Sequence, residues 1–228
     1  MSAGGPGKEH EVAWQPELRV VEDLTAAALE LFVEEAPATV LLTGGSTPMP
    51  LYEALAGRTD LDWEEMEFFL SDERCVPDTD PRSNFGVIHR VLLSKVPALR
   101  YPIDGDRCDA AGYEEVLRRR FDVRPRFDLA LYGLGPDGHT ASLFPGRPEV
   151  EEVDAWAIEV PEAGWEPFVP RVSLTVPVLS AAALGVFMVE GESKREPLRR
   201  LLSGGDIPAA RMHPDRLVIL ADSEAAPG

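Results

Sequence analysis

The sequence predicts an α/β fold: an open, mainly parallel, Rossmann-like sheet with helices on both faces, forming a single domain over residues 1–228. Three observations predict it. Short apolar runs rich in β-branched residues alternate with segments of helical periodicity, the pattern of successive strand–helix units. No composition shift, internal repeat or low-complexity linker divides the 228 residues, a length that suits one substantial core. Hydrophobic residues make up 44% and charged residues 27%, the balance of a globular chain rather than a disordered one. Residues 1–10, rich in small residues, and the Ala-containing residues 223–228 are expected to be loose tails.

Taken in order, Thr39–Thr43 is a short β-branched strand pattern, followed by Gly44-Gly45 and a helix pattern over residues 48–56. Residues 66–71 repeat the design and lead into Asp72-Glu73-Arg74. A helix follows over residues 83–94, with Phe85, Ile88, Val91 and Leu92 at helical spacing and Ser83 as its N-cap. Residues 110–121 form another helix, and Phe127–Tyr132 the next strand. Further strands are expected at residues 155–160, 171–175, 185–190 and 216–220. Residues 193–202 read as a helix stopped by Ser203-Gly204-Gly205. In a parallel sheet of this kind ligands bind beyond the carboxyl ends of the strands, which directs attention to four loops.

The first loop is Thr43-Gly-Gly-Ser-Thr-Pro48. Gly44 and Gly45 let the backbone approach a ligand, Ser46 and Thr47 add hydroxyls, and the following helix aims free N–H groups at the loop, a setting for phosphate. A tight turn with a Ser or Thr cap explains the same residues. The second, Ser71-Asp-Glu-Arg74, offers the carboxylate of Asp72 and the guanidinium of Arg74, but also reads as a solvated charged turn. The third, Gly133-Leu-Gly-Pro-Asp-Gly-His139, contains G-x-G-x-x-G after a strand, with Glu159 about twenty residues on, as a dinucleotide fingerprint requires. Pro136 removes a donor from that cradle, however, and Pro145-Gly146 stops any helix after some six residues. The alternative is a turn that presents Asp137 and His139, a carboxylate beside an imidazole, for acid–base work. In the fourth, Val189–Lys194, the lysine sits at a helix start where its charge opposes the dipole; Arg171 would complete a cation pair with it.

Composition excludes several classes. A formal charge of −18 is wrong for nucleic acid, although a few cations gathered in one cleft still attract an anion. The longest apolar stretch, Ala181–Val189, has nine residues, about half of what a membrane span needs, and the N-terminus lacks a secretory apolar core. Cys75 and Cys108 have neither C-x-x-C nor zinc spacing, so neither a disulfide framework nor a metal site is expected, and a reduced cytoplasm is the simplest location.

In this order the loops resemble the 6-phosphogluconolactonase family, within the glucosamine-6-phosphate isomerase/6-phosphogluconolactonase superfamily. The resemblance rests on Leu42–Pro48, Ser71–Pro77 with Ser83-Asn84, Gly133–Pro145, Arg171–Thr175 and Gly191–Lys194. It implies hydrolysis of 6-phosphoglucono-1,5-lactone to 6-phosphogluconate in the pentose phosphate pathway, without cofactor. By resemblance His139 activates water, Ser46, Thr47, Arg171 and Lys194 hold the 6-phosphate, and Arg74 meets the anionic end or the oxyanion. Asp72 and Asp137 lie near the sugar or the histidine. The expected partner is a small sugar-phosphate lactone, the expected state a monomer or weak homo-oligomer. The segment Gly164–Val169 is bulkier than the family pattern. Two rivals remain: an amino-sugar-phosphate deaminase/isomerase, whose resembling members carry a glutamate five residues beyond the histidine where this chain has Phe144, and a sugar-phosphate-binding protein without catalysis.

Overall fold

Seven strands lie side by side and all run parallel in a computed structural model that describes residues 14–227. They are β1 (Glu17–Val20), β2 (Thr39–Leu42), β3 (Glu67–Leu70), β5 (Leu99–Tyr101), β6 (Phe127–Tyr132), β9 (Ala182–Val189) and β10 (Arg216–Ala221), in the order β1-β10-β9-β6-β2-β3-β5. The inner strands are buried almost end to end, including every residue of β2 and Leu129–Tyr132 of β6. That is why they read as continuous apolar runs and not as alternation. Helices α1 (Leu24–Glu35), α2 (Met49–Ala56), α3 (Asn84–Ile88), α4 (Ala110–Phe121), α5 (Val176–Leu179) and α6 (Arg195–Leu202) connect the strands and pack around them.

From β2 the chain proceeds to β3 and β5 on one side, whereas from β6 it proceeds to β9 and β10 on the other. The adjacent strands β2 and β6 therefore form a topological switch point, and the loops leaving their carboxyl ends diverge to open a crevice. Those loops are the first and third singled out above.

Several details depart from expectation. β7 (Ala157–Val160) and β8 (Arg171–Leu174) do not join the parallel sheet; with β4 (Asp72–Arg74) they form a separate antiparallel sheet in the order β4-β8-β7. Helix 83–94 is helical in α3, capped by Ser83 Oγ accepting from Gly86 N–H at 2.9 Å, and then widens into a π-type turn over His89–Leu93. α6 begins at Arg195, after a 3-10 turn over Glu192–Lys194. Residues 223–227 are not a loose tail: Ala225 is fully buried and its N–H donates to Asp222 at 2.7 Å. The other expected tail, residues 1–10, lies outside the described residues. The two cysteines, expected free, are joined as Cys75–Cys108 with Cα atoms 4.9 Å apart. They meet because the turn bearing Cys108 lies on the backbone of Arg74 and Val76, where Gly105 leaves no space for a Cβ, a tertiary contact that sequence spacing does not encode. Among the described residues no helix is long and apolar enough to cross a membrane.

Candidate active site

The loop after β2 is fixed at its root and open at its tip. Tyr52, fully buried in α2, donates its hydroxyl to Thr43 O at 2.8 Å and accepts from Thr43 N–H at 3.2 Å. Gly45 then turns with φ +95°, a conformation other residues rarely adopt. No side chain among the described residues caps α2. Its first N–H, that of Met49, donates to Ser46 O at 3.2 Å and Pro50 has none, so the donors the loop offers a ligand are its own main chain and the hydroxyls of the exposed Ser46 and half-buried Thr47.

The loop after β6 forms the facing wall. Gly135 N–H donates to His139 O at 2.8 Å and Gly138 N–H to Gly135 O at 3.0 Å, closing a tight turn. A Cβ at Gly135 would collide with the His139 imidazole, so this glycine is what admits the ring. No helix follows: residues 139–144 form a turn with a bridge between Thr140 and Leu143, so the long helix that a dinucleotide cradle would use is missing. Asp137 Oδ1 contacts His139 Nδ1 at 2.6 Å and accepts from His139 N–H at 3.0 Å. A carboxylate at that distance assigns the ring proton to Nδ1 and leaves the Nε2 lone pair for the cleft. Burial raises the Asp137 pKa, but the hydrogen bond and charge of His139 outweigh it and hold the carboxyl below its ordinary value.

The antiparallel sheet supplies the third wall. Arg74 on β4 and Arg171 on β8 are directly paired across the ladder, which sets two guanidinium groups side by side at the cleft. Each keeps a buried Nε with no partner among the described residues. Burial lowers the Arg171 pKa, Asp72 acts against that and Arg74 adds to it. Asp72 is buried behind them, accepting from Ser71 Oγ at 3.0 Å and Ser142 Oγ at 2.7 Å, with Asn84 Nδ2 donating to its main-chain oxygen at 3.0 Å. Lys194 closes the remaining side, donating Nζ to Leu134 O at 2.6 Å; burial lowers its pKa and Asp137 partly offsets that.

The structure thus brings Gly44, Gly45, Ser46, Thr47, Asp72, Arg74, His139, Arg171 and Lys194 to the lining of one cleft, with Asp137 directly behind His139. Its volume is about 240 Å³, small beside the roughly 300–1,000 Å³ of drug-sized ligand sites and suited to one small polar metabolite. Among the described residues no three His, Cys, Asp or Glu side chains converge on a point that would hold a metal ion. Reading the loops individually missed Ser142, whose Oγ donates to Asp72 and also accepts from Arg171 Nη1 at 3.4 Å. It missed Trp165 and Glu166 in the cleft wall as well; the bulk of Gly164–Val169 was the available signal.

Comparison with known proteins gives concordant matches. The family model for glucosamine-6-phosphate isomerases/6-phosphogluconolactonase matches residues 15–220. The 6-phosphogluconolactonase of Thermotoga maritima is 37% identical over 199 residues, covering 83% of this chain and 86% of that protein. The 6-phosphogluconolactonase of Synechocystis sp. is 36% identical over 197 residues, covering 81% and 80% respectively. The crystal structure of the Thermotoga maritima 6-phosphogluconolactonase superposes with a TM-score of 0.83 at 30% identity, covering 91% of this chain and 99% of that one.

Proposed function

The chain belongs to the glucosamine-6-phosphate isomerase/6-phosphogluconolactonase family, and from that premise we propose that it is a cytoplasmic lactonase of the oxidative pentose phosphate pathway. Its reaction is hydrolysis of 6-phospho-D-glucono-1,5-lactone to 6-phospho-D-gluconate. The observation that carries this reading is the His139–Asp137 pair, with Nδ1 engaged and Nε2 left for the cleft, set between the Gly44–Thr47 loop and two arginines whose Nε atoms have no partner among the described residues.

In the proposed mechanism the 6-phosphate lies at the Gly44-Gly45-Ser46-Thr47 loop, where main-chain N–H groups of the loop and the hydroxyls of Ser46 and Thr47 donate to it and Lys194 and Arg171 balance its charge. Anchoring this remote group positions C1 of the lactone before His139. A water between Nε2 and C1 gives its proton to Nε2 as its oxygen bonds to the carbonyl carbon. The resulting oxyanion is stabilised by donors on the Arg74 side. Collapse of the tetrahedral intermediate breaks the C1–ring-oxygen bond, and the imidazolium returns the proton to that oxygen. Asp137 keeps the ring in the productive tautomer throughout. Asp72, locked by two hydroxyls, holds the wall that carries both arginines.

A deaminase/isomerase relay is disfavoured because position 144 holds a phenylalanine, 2% exposed, with its ring 4.9 Å from that of His139. The test is release of 6-phosphogluconate from freshly made lactone above the spontaneous rate, read through a coupled dehydrogenase, with neither metal nor nucleotide added to the lactonase step. Wild type is expected to be active and His139→Ala to lose about 10²–10⁴-fold in kcat, the span of general-base catalysis. Equal rates for the two proteins would remove His139 from the mechanism.

A further inference from the structure

Between β7 and β8 the chain makes an excursion over residues 161–170 that brings Trp165 and Glu166 to the cleft. Two contacts fix it there. Gly164 packs so closely on Phe144 that a Cβ would fall 2.9 Å from the ring. Arg171 Nη2 donates to Trp165 O at 3.1 Å and to Pro167 O at 2.9 Å. The same guanidinium that lines the cleft therefore holds the main chain on both sides of Glu166.

The side chain of Trp165 is not consumed in this anchoring. It remains 44% exposed, with its ring centroid 6.5 Å from that of His139. The other large apolar side chains of the cleft, Leu131, Tyr132, Leu134 and Met188, are nearly sealed from solvent. Among the described residues Trp165 is thus the cleft's accessible broad apolar surface, and burying such a surface under a ligand is favourable. A sugar ring has polar edges and a face of C–H bonds, whose partial positive charge suits the negative face of an indole.

We propose that Trp165 is a substrate-stacking, specificity-determining residue: its indole bears the C–H face of the closed lactone ring and sets C1 beside His139. This rests on the lactonase reading. An open-chain sugar phosphate has no flat C–H face and gains little from the contact, so Trp165 favours the ring-closed substrate over the ring-opened product and assists product release.

The test combines kinetics with fluorescence. Trp165→Ala is expected to raise KM for 6-phosphogluconolactone about tenfold with a smaller change in kcat, and Trp165→Phe to recover most of the loss. Glucose 6-phosphate, a closed ring that carries no lactone to hydrolyse, is expected to alter wild-type tryptophan emission more strongly than 6-phosphogluconate does. That change should vanish in Trp165→Phe. An active wild type with unaltered KM in Trp165→Ala, or an emission change that survives in Trp165→Phe, overturns the stacking role alone. A wild type inert toward the lactone overturns the underlying reading instead.

Discussion

At the scale of single residues the decisive pair is His139 and Asp137, two positions apart on a turn whose Gly135 leaves room for the ring. The Asp137 carboxyl is held below its ordinary pKa of about 4 despite the burial that raises it, because the His139 hydrogen bond and charge prevail. The linkage sign follows from that direction. A depressed carboxyl binds fewer protons in the folded state, so its ionised form stabilises the fold above about pH 4, and the contribution is lost as pH falls through the lower folded value. Asp137→Asn should therefore be less stable than wild type at pH 7, with the gap narrowing toward pH 3; urea unfolding of both proteins at the two pH values measures it. A gap of equal size at both would show that the charge of Asp137 contributes nothing to stability. The substitution should also lower kcat, by no more than the loss in His139→Ala, since the base remains but its tautomer is no longer fixed.

At the scale of elements, the small antiparallel sheet matters most, because β4 and β8 carry Asp72, Arg74 and Arg171. Its support is Glu73, which is 1% exposed and accepts from the N–H groups of Arg74, Asn84 and Phe85, each at 2.7 Å, and from Ser83 Oγ at 2.9 Å. Burial pushes the Glu73 pKa up while these donors pull against it. The side chain thereby ties β4 to the start of α3 and places Asn84 against Asp72. Glu73→Ala would strand four donors and should cost about 3–5 kcal/mol in chemical denaturation; a loss under about 1 kcal/mol would mean that water replaces the carboxylate freely. This sheet is also where sequence reading fell short. The apolar runs of β2, β6 and β9 and the Ser83 cap and periodicity of the helix that begins with α3 are local signals, and they announce elements that surround the switch point. Strands of three or four residues carry no local mark of their partner, so β7 and β8 were visible as strands but not as a second sheet. In the same way Gly44, Gly45, His139 and Lys194 stand out by residue type and loop position. Ser142 did not, since its partner Asp72 is 70 residues away.

At the scale of the whole molecule, two global inferences behave differently. A net charge of −18 is compatible with an anion site because Arg74, Arg171 and Lys194 are drawn from distant segments to one cleft, where local potential outweighs the total. The expectation of free cysteines does not survive, because Cys75 and Cys108 are bonded across a separation of 33 residues. That bond encloses α3, its π-type turn and β5 in one covalent loop. Closing a loop of this length in the unfolded chain removes entropy worth about 3–4 kcal/mol. The bond follows Arg74 directly, yet Arg74 is held separately, by its ladder pairing with Arg171 and by the Cys75 N–H donating to Pro170 O at 2.8 Å. Loss of the bond should therefore separate stability from activity. Cys75→Ser/Cys108→Ser is expected to unfold at lower denaturant by roughly 3–4 kcal/mol while keeping near wild-type lactonase kinetics at 25 °C. Thiol titration of the denatured, unreduced wild type should find no free sulfhydryl, and two after reduction. Two reactive thiols before reduction would mean that the protein works as a dithiol, as a reducing cytoplasm favours, and the double variant should then show no loss of this size.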